Sequence, residues 1–198
     1  MRNLHLDGMR RFILVSRTGR TDGAFQSLPE AGRLDVVYQC ALMSLFVSHG
    51  HREDTTFTAI LGGPPRPPVA VTIDGATLHD LRTDETSWAE VLRKVLAGGT
   101  HPGFSLRRES LQQVIRTTGS AFALHEKGEP LETVELGTDP VFVLGDQVGL
   151  ARADESFILR KGRQVSLGRR PSYLAASCIA AIHYILDRRE AVGSTEEP

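Results

Sequence analysis

The chain has 198 residues, 40% hydrophobic and 24% charged, with a formal net charge of −1, a balance that fits one globular domain and excludes a disordered or fibrous chain. A chain of this length buries roughly 70% of its unfolded surface, and no apolar run approaches the roughly 18 residues that a membrane span needs. The opening MRNLHLDGMRR lacks the apolar core of a secretory signal, and Cys40 and Cys178 stand far apart in apolar helical patterns; they read as buried reduced thiols of a cytoplasmic protein, not as a disulfide or a metal pair.

Taken in order, residues 1–8 read as an extension and Arg11–Arg17 (RFILVSR) as a first strand. Thr18 to Ala31 is a loop rich in Gly, Thr, Asp and Pro. Leu34, Val37, Tyr38, Ala41 and Leu45 then recur at helical spacing through Val47, with Asp35 near the positive end of the helix dipole. His49–Asp54 is a polar turn, Thr55–Leu61 a β-rich strand, and GGPPRPP a stiff connection to a strand over Val69–Ile73, closed by a tight turn at Asp74-Gly75. Ser87 is the expected N-cap of a helix over Trp88–Ala97, with Glu90 at the capping-box position. A loop at His101-Pro102-Gly103 and a short helix over Ser110–Arg116 follow.

The second half alternates more regularly: a strand over Ala121–His125, a turn over Glu126–Pro130, a buried strand over Val141–Leu144, a helical turn over Asp154–Leu159, a short strand over Gln164–Leu167, and a closing helix over Ser172–Arg189. Residues 9–190 read as a single domain and 191–198 as a small acidic tail. Strands alternating with helices predict an α/β fold with a largely parallel sheet flanked by helices.

No GxGxxG follows the first strand, and GxxxxGK[ST] and GxSxG are absent, so a dinucleotide fold, a P-loop NTPase and a serine hydrolase lose their motifs. His49-x-His51 has no further ligands clustered near it and reads as a surface turn, with no metal site expected. Arginine outnumbers lysine 20 to 3. Guanidinium forks suit phosphate oxygens and bases, although a GC-rich coding sequence produces the same bias. With net charge near zero, RNA contact would be local, at Arg10-Arg11, Arg107-Arg108 or Arg169-Arg170. Two strand exits, Gly145-Asp146 and Ser166-Leu167-Gly168, lie before the closing helix; ligands of α/β sheets bind beyond such carboxyl ends, and two ordinary loops are the alternative.

The order and spacing of Gly32-Arg33-Leu34-Asp35, Ser48-His49 with Arg52 and Asp54, Pro67-Pro68-Val69, Pro102-Gly103, Arg107-Arg108, Leu124-His125, Pro140-Val141-Phe142 with Gly145-Asp146 and Gly149, Ser166-Leu167-Gly168, and Cys178-Ile179 with His183, Leu186 and Asp187 carry a resemblance that spans nearly the whole chain. The sequence resembles the archaeal-type tRNA pseudouridine N1-methyltransferases of the SPOUT (trefoil-knot) superfamily. The resemblance implies S-adenosylmethionine as cofactor, bent in a knotted C-terminal region and held by Leu124, Gly145, Ser166, Leu167, Gly168, Arg169 and Cys178. It also implies an RNA substrate, the T-loop of tRNA at position 54 foremost, and a homodimer. Ribosomal RNA as substrate, or a non-catalytic RNA-binding relative, are the alternatives.

Methyl transfer to N1 of pseudouridine needs in-line alignment and a group that takes or polarises the imide proton. Asp35 is the expected base or orienter, with Arg33 holding it or an adjacent phosphate; capping of the helix start and a surface ion pair are the structural alternatives. Arg107, Arg108 and Arg52 are the expected RNA contacts, and Phe142, Leu144 and Leu167 could line an apolar pocket for the methyl group.

Overall fold

The computed structural model describes residues 8–168 and 172–193. Strand β1 (Arg10–Ser16) leads to helix α1 (Leu34–Leu45), a small hairpin of β2 (Phe46–Val47) and β3 (Gly50–His51), and strands β4 (Thr55–Leu61) and β5 (Val69–Asp74). Helix α2 (Glu85–Leu96), edge strand β6 (Phe104–Arg107), helix α3 (Leu111–Arg116), strands β7 (Ala121–Pro130) and β8 (Val141–Gly145), helix α4 (Arg152–Leu159), strand β9 (Arg163–Ser166) and helix α5 (Ala175–Gly193) complete the order.

Seven strands form one sheet in the order β6-β5-β4-β1-β8-β7-β9. β1 runs parallel to β4 and β8, β7 runs parallel to β8 and β9, and β5 alone is reversed in this sheet, antiparallel to both β4 and β6. The expected mostly parallel α/β sheet is the one observed. Both faces are covered, which explains why its strands are apolar without a break. In β1, Phe12 and Leu14 pack with α1, α2 and α5, while Ile13 and Val15 pack with α3 and α4. Because the side-chain period is two, each central strand feeds both layers.

Several boundaries differ from expectation for local reasons. α2 starts at Glu85, capped by Asp84 and not by Ser87: the Asp84 carboxylate accepts Ser87 N–H at 3.0 Å and Ser87 Oγ–H at 2.8 Å. The expected turn over Glu126–Pro130 is part of β7, where Leu124 and Glu129 both pair with Val165 and the residues between them bulge out. β6 escapes a sequence reading because only Phe104 of its four residues is even half-buried. The closing helix begins at Ala175 and reaches Gly193, into the stretch read as a tail.

The amino edge of the sheet is held by a charged network. Arg10, 3% exposed, donates to Asp187 Oδ1 (2.6 Å), Glu190 Oε1 and His183 Nδ1 (3.1 Å). The Nε2–H of His183 donates to the Ser44 carbonyl at 2.9 Å, tying α5 to α1. Arg10 is therefore a buried structural group and not part of an RNA-facing pair.

Candidate active site

Parallel pairing brings the carboxyl ends of β1, β4, β7, β8 and β9 to one edge of the sheet, with Val15 opposite Gly145 and Leu124 opposite Val165. At the β8 exit a Cβ on Gly145 would stand 2.5 Å from the Gly149 backbone, so only glycine lets the chain double back there. Asp146, 8% exposed, closes that turn. Its Oδ1 accepts Val148 N–H and its Oδ2 accepts Arg17 N–H, both at 2.8 Å, while its own N–H donates to Val15 O at 3.0 Å. One carboxylate thus clips the exit of β8 to the exit of β1.

At the β9 exit, the Oγ of Ser166 accepts Gly168 N–H at 3.0 Å and lies within reach of the carbonyls of Gly168 (3.1 Å) and Glu126 (3.3 Å). Gly168 has φ +122°, and among the described residues beyond its chain neighbours no heavy atom lies within 4 Å of where a Cβ would stand. Leu124, Leu167, Ala175 and Ala176 are half-buried beside it. The Ser172 hydroxyl donates to Glu126 Oε1, joining the approach to α5 to the β7 bulge. Cys178 is 8% exposed, and its N–H is already bonded to Leu174 O at 2.9 Å. Burial pushes its thiol pKa up, and burial together with the nearby Cys178 and Asp146 pushes Cys40 up to about 12. Both cysteines are free and buried, hence neutral and poor nucleophiles.

Arg33 precedes α1 in the left-handed region (φ 67°), after Gly32 (φ 69°), whose would-be Cβ falls 1.8 Å from Thr18 O. This turn seats the start of α1 on the loop that leaves β1. Arg33 grips Asp35 in a bidentate pair, Nε to Oδ1 and Nη2 to Oδ2, each at 3.0 Å. The Asp35 side chain is 15% exposed and that of Arg33 is 49% exposed. Hydrogen bonding and charge from Asp35, with a further contribution from Asp146, hold the Arg33 guanidinium pKa above its ordinary value. Gly32 packs against Thr18, whose hydroxyl donates to the Gly32 carbonyl, and Arg17 beside it is held by Asp146, so the turn that carries Arg33 and Asp35 sits on the loop tied to the β8 exit.

Other expected residues fall elsewhere. Arg52 donates to both oxygens of Asp187 (3.1 and 2.6 Å) at the amino edge, opposite the strand exits, so the structure does not bring it to the site. Arg107 and Arg108 are exposed at the sheet's β6 margin, Arg107 only 3.8 Å from Glu109. Arg169 lies outside the described residues. Phe142 and Leu144 are buried in the core, whereas Leu167 stays half-buried at the rim. Among the described residues no group of three or more His, Cys, Asp or Glu is placed to hold a metal ion.

A family model described as a SAM-dependent RNA methyltransferase matches residues 9–191. The tRNA (pseudouridine(54)-N(1))-methyltransferase of Methanocella arvoryzae is 36% identical, with 91% of this chain and 100% of that protein aligned. The chain belongs to this family of SAM-dependent RNA methyltransferases. The Thermococcus gammatolerans enzyme of the same name is 34% identical over 90% of this chain and 97% of its own. Archaeoglobus fulgidus Nep1 bound to S-adenosylhomocysteine shares the fold at TM-score 0.70 and 14% identity, covering 93% of this chain and 99% of that one.

The strand exits fit the family's cofactor. Among the described residues, Leu124, Gly145, Ser166, Leu167 and Gly168 offer backbone groups, one hydroxyl and apolar surface, with Cys178 buried nearby. Backbone groups and apolar surface suit a ligand held mainly by the main chain. Asp146 is named in the sequence as part of a strand exit, but no role of its own is expected there. Its signal was present: an Asp directly after a strand, followed by Gly three residues later, is the pattern of a side chain that caps its own turn.

Proposed function

We propose that this protein methylates N1 of pseudouridine at position 54 of tRNA, using S-adenosylmethionine, as the names of its aligned relatives state for them. The observation that carries the reading is the Arg33–Asp35 pair, borne on the turn that packs on the β1 exit loop, which Asp146 ties to the Gly145 exit. S-adenosylmethionine supplies an electrophilic methyl group on a sulfonium. Leu124, Gly145, Ser166, Leu167 and Gly168 would hold it at the strand exits, with Cys178 packed nearby. Half-buried Leu124 and Leu167 keep water from the methyl. Asp35 would accept the N1–H of the target base, aim the nitrogen at the methyl group, and take the imide proton on to solvent. Arg33 fixes the carboxylate plane, so the orientation is prepared before the base arrives.

In this reading residues 9–190 act as one methyltransferase domain with a knotted C-terminal region. The course of α5, from the sheet margin at β9 back across to α1, supports the knot. Exposed Met43 on α1 and exposed Leu174 and Tyr184 at α5 support a homodimer through that surface. A tRNA substrate places the protein in the cytoplasm. Among the described residues no helix is long and apolar enough to cross a membrane.

The deciding measurement is mass spectrometry of tRNA nucleosides incubated with protein and S-adenosylmethionine. N1-methylpseudouridine in tRNA supports the proposal, and methylation confined to ribosomal RNA replaces its substrate. Absence of cofactor binding at millimolar concentration removes the enzyme reading. Asp35→Ala should abolish transfer while leaving cofactor affinity within a few-fold; wild-type turnover in that variant refutes the assigned role.

A further inference from the structure

A cleft of about 370 Å³ opens at the carboxyl ends of β1 and β4, on the face covered by α3 and α4. Its size lies within the roughly 300–1,000 Å³ usual for small-ligand sites. Val15, Ile60 and Leu111 form an apolar floor, Gln112 and Asp154 a polar wall, and exposed Arg17 stands at the mouth. Gln112 Nε2 donates to Asp154 Oδ1 at 2.6 Å, which fixes the carboxylate and leaves Oδ2 with no hydrogen-bond partner among the described residues. Arg108 lies two residues before Ser110 of the cleft, and Arg107 pairs with Ala70, two residues beyond Pro68 of the cleft.

The cleft and the Arg33–Asp35 pair lie on opposite faces of β1. Val15 points to the α3 and α4 face, whereas α1 packs on the other. They are joined through the backbone of Arg17, whose N–H is held by Asp146. One base cannot occupy both places, but consecutive nucleotides of one strand passing over the β1 exit can.

We propose that this cleft binds the base of a nucleotide flanking the methylated one. The base rests on the apolar floor and presents an N–H donor to Asp154, while Arg17, with Arg107 and Arg108 further out, takes the phosphates. The chemistry is sorted as RNA recognition requires, with guanidinium groups on the backbone and a fixed carboxylate on a base edge. This proposal rests on the reading of the chain as an RNA methyltransferase.

The test is tRNA affinity over a salt series for wild type, Arg17→Ala, Arg17→Lys and Asp154→Asn, with cofactor affinity and methyl transfer measured on the same samples. Arg17→Ala should weaken tRNA binding about 10-fold and lower the salt slope by about 1, and Arg17→Lys should restore the slope. Asp154→Asn should weaken binding about 10-fold with the slope unchanged. Cofactor affinity and melting temperature should stay at wild-type values throughout. Wild-type tRNA affinity in both Arg17→Ala and Asp154→Asn overturns the proposal, as does loss that tracks a lowered melting temperature. If wild type transfers no methyl to tRNA but the variants still lose tRNA binding, the cleft stands and the proposed reaction falls.

Discussion

Replacing Asp146 with alanine should damage stability and catalysis together. The side chain is 8% exposed and accepts two backbone N–H groups, from Arg17 and Val148, at 2.8 Å each. Its removal leaves two donors without the partner they have in the fold. Each such loss costs about 1–3 kcal/mol, so Asp146→Ala should lower unfolding free energy by about 2–6 kcal/mol. Asp146→Asn keeps one acceptor oxygen and should lose about half as much. Equilibrium urea unfolding measures both. The functional consequence follows from what the carboxylate joins. The loop after β1 seats Gly32 through Thr18, and Gly32 sets the start of the Arg33–Asp35 turn. Releasing Arg17 from the β8 exit therefore loosens the proposed base relative to the cofactor loop. Asp146→Asn, still folded at 25 °C, should lose at least 10-fold in kcat, with cofactor affinity changed less than kcat. An Asp146→Ala variant within 0.5 kcal/mol of wild type, or one with wild-type kcat, refutes this account.

Two further outcomes are expected. Gly168→Val should weaken S-adenosylmethionine binding measured by calorimetry, because φ +122° is strained for any side chain and costs about 1–3 kcal/mol; unchanged affinity in a folded variant would remove Gly168 from the cradle. His183 titrates at about 4, pushed down first by burial and then by the charges of Arg52 and Arg10. Its unfolded pKa is near 6.5, so between pH 6.5 and about 4 the unfolded chain binds the extra proton, and stability falls with pH across that window by up to about 3 kcal/mol. Below the usual carboxylate range a second loss begins, since hydrogen bonds from Arg52 and Arg10 outweigh burial and hold the Asp187 pKa down. Urea unfolding at pH 7 and pH 4.5 reads the first window, and equal stabilities at the two would contradict the buried neutral imidazole.

Much of the site was legible because local chemistry marks it. Glycines stand where the chain doubles back, an Asp follows a strand, and the turn Gly32-Arg33 is written as a glycine before a helix. The misreadings were of residues whose role depends on partners far away in sequence. Arg10 looks like half of a basic pair until Asp187, more than 170 residues on, is seen to take its charge. Arg52 matches a family position, yet it spends its guanidinium on that same carboxylate. Ser87 has every local feature of an N-cap, but Asp84 competes for its N–H and wins with a charged acceptor.

Hydrophobic periodicity and turn residues, which act over a few residues, determined the element types, the mostly parallel sheet and the glycine-marked exits. Pairing register and layer assignment, which act across the whole chain, decided the rest. They seated the start of α1 on the β1 exit loop, sent Arg52 to the opposite edge, and opened the cleft between β1, β4 and α3. No segment of sequence contains that information, because each of these placements is a relation between strands whose order in the sheet, β6-β5-β4-β1-β8-β7-β9, differs from their order in the chain.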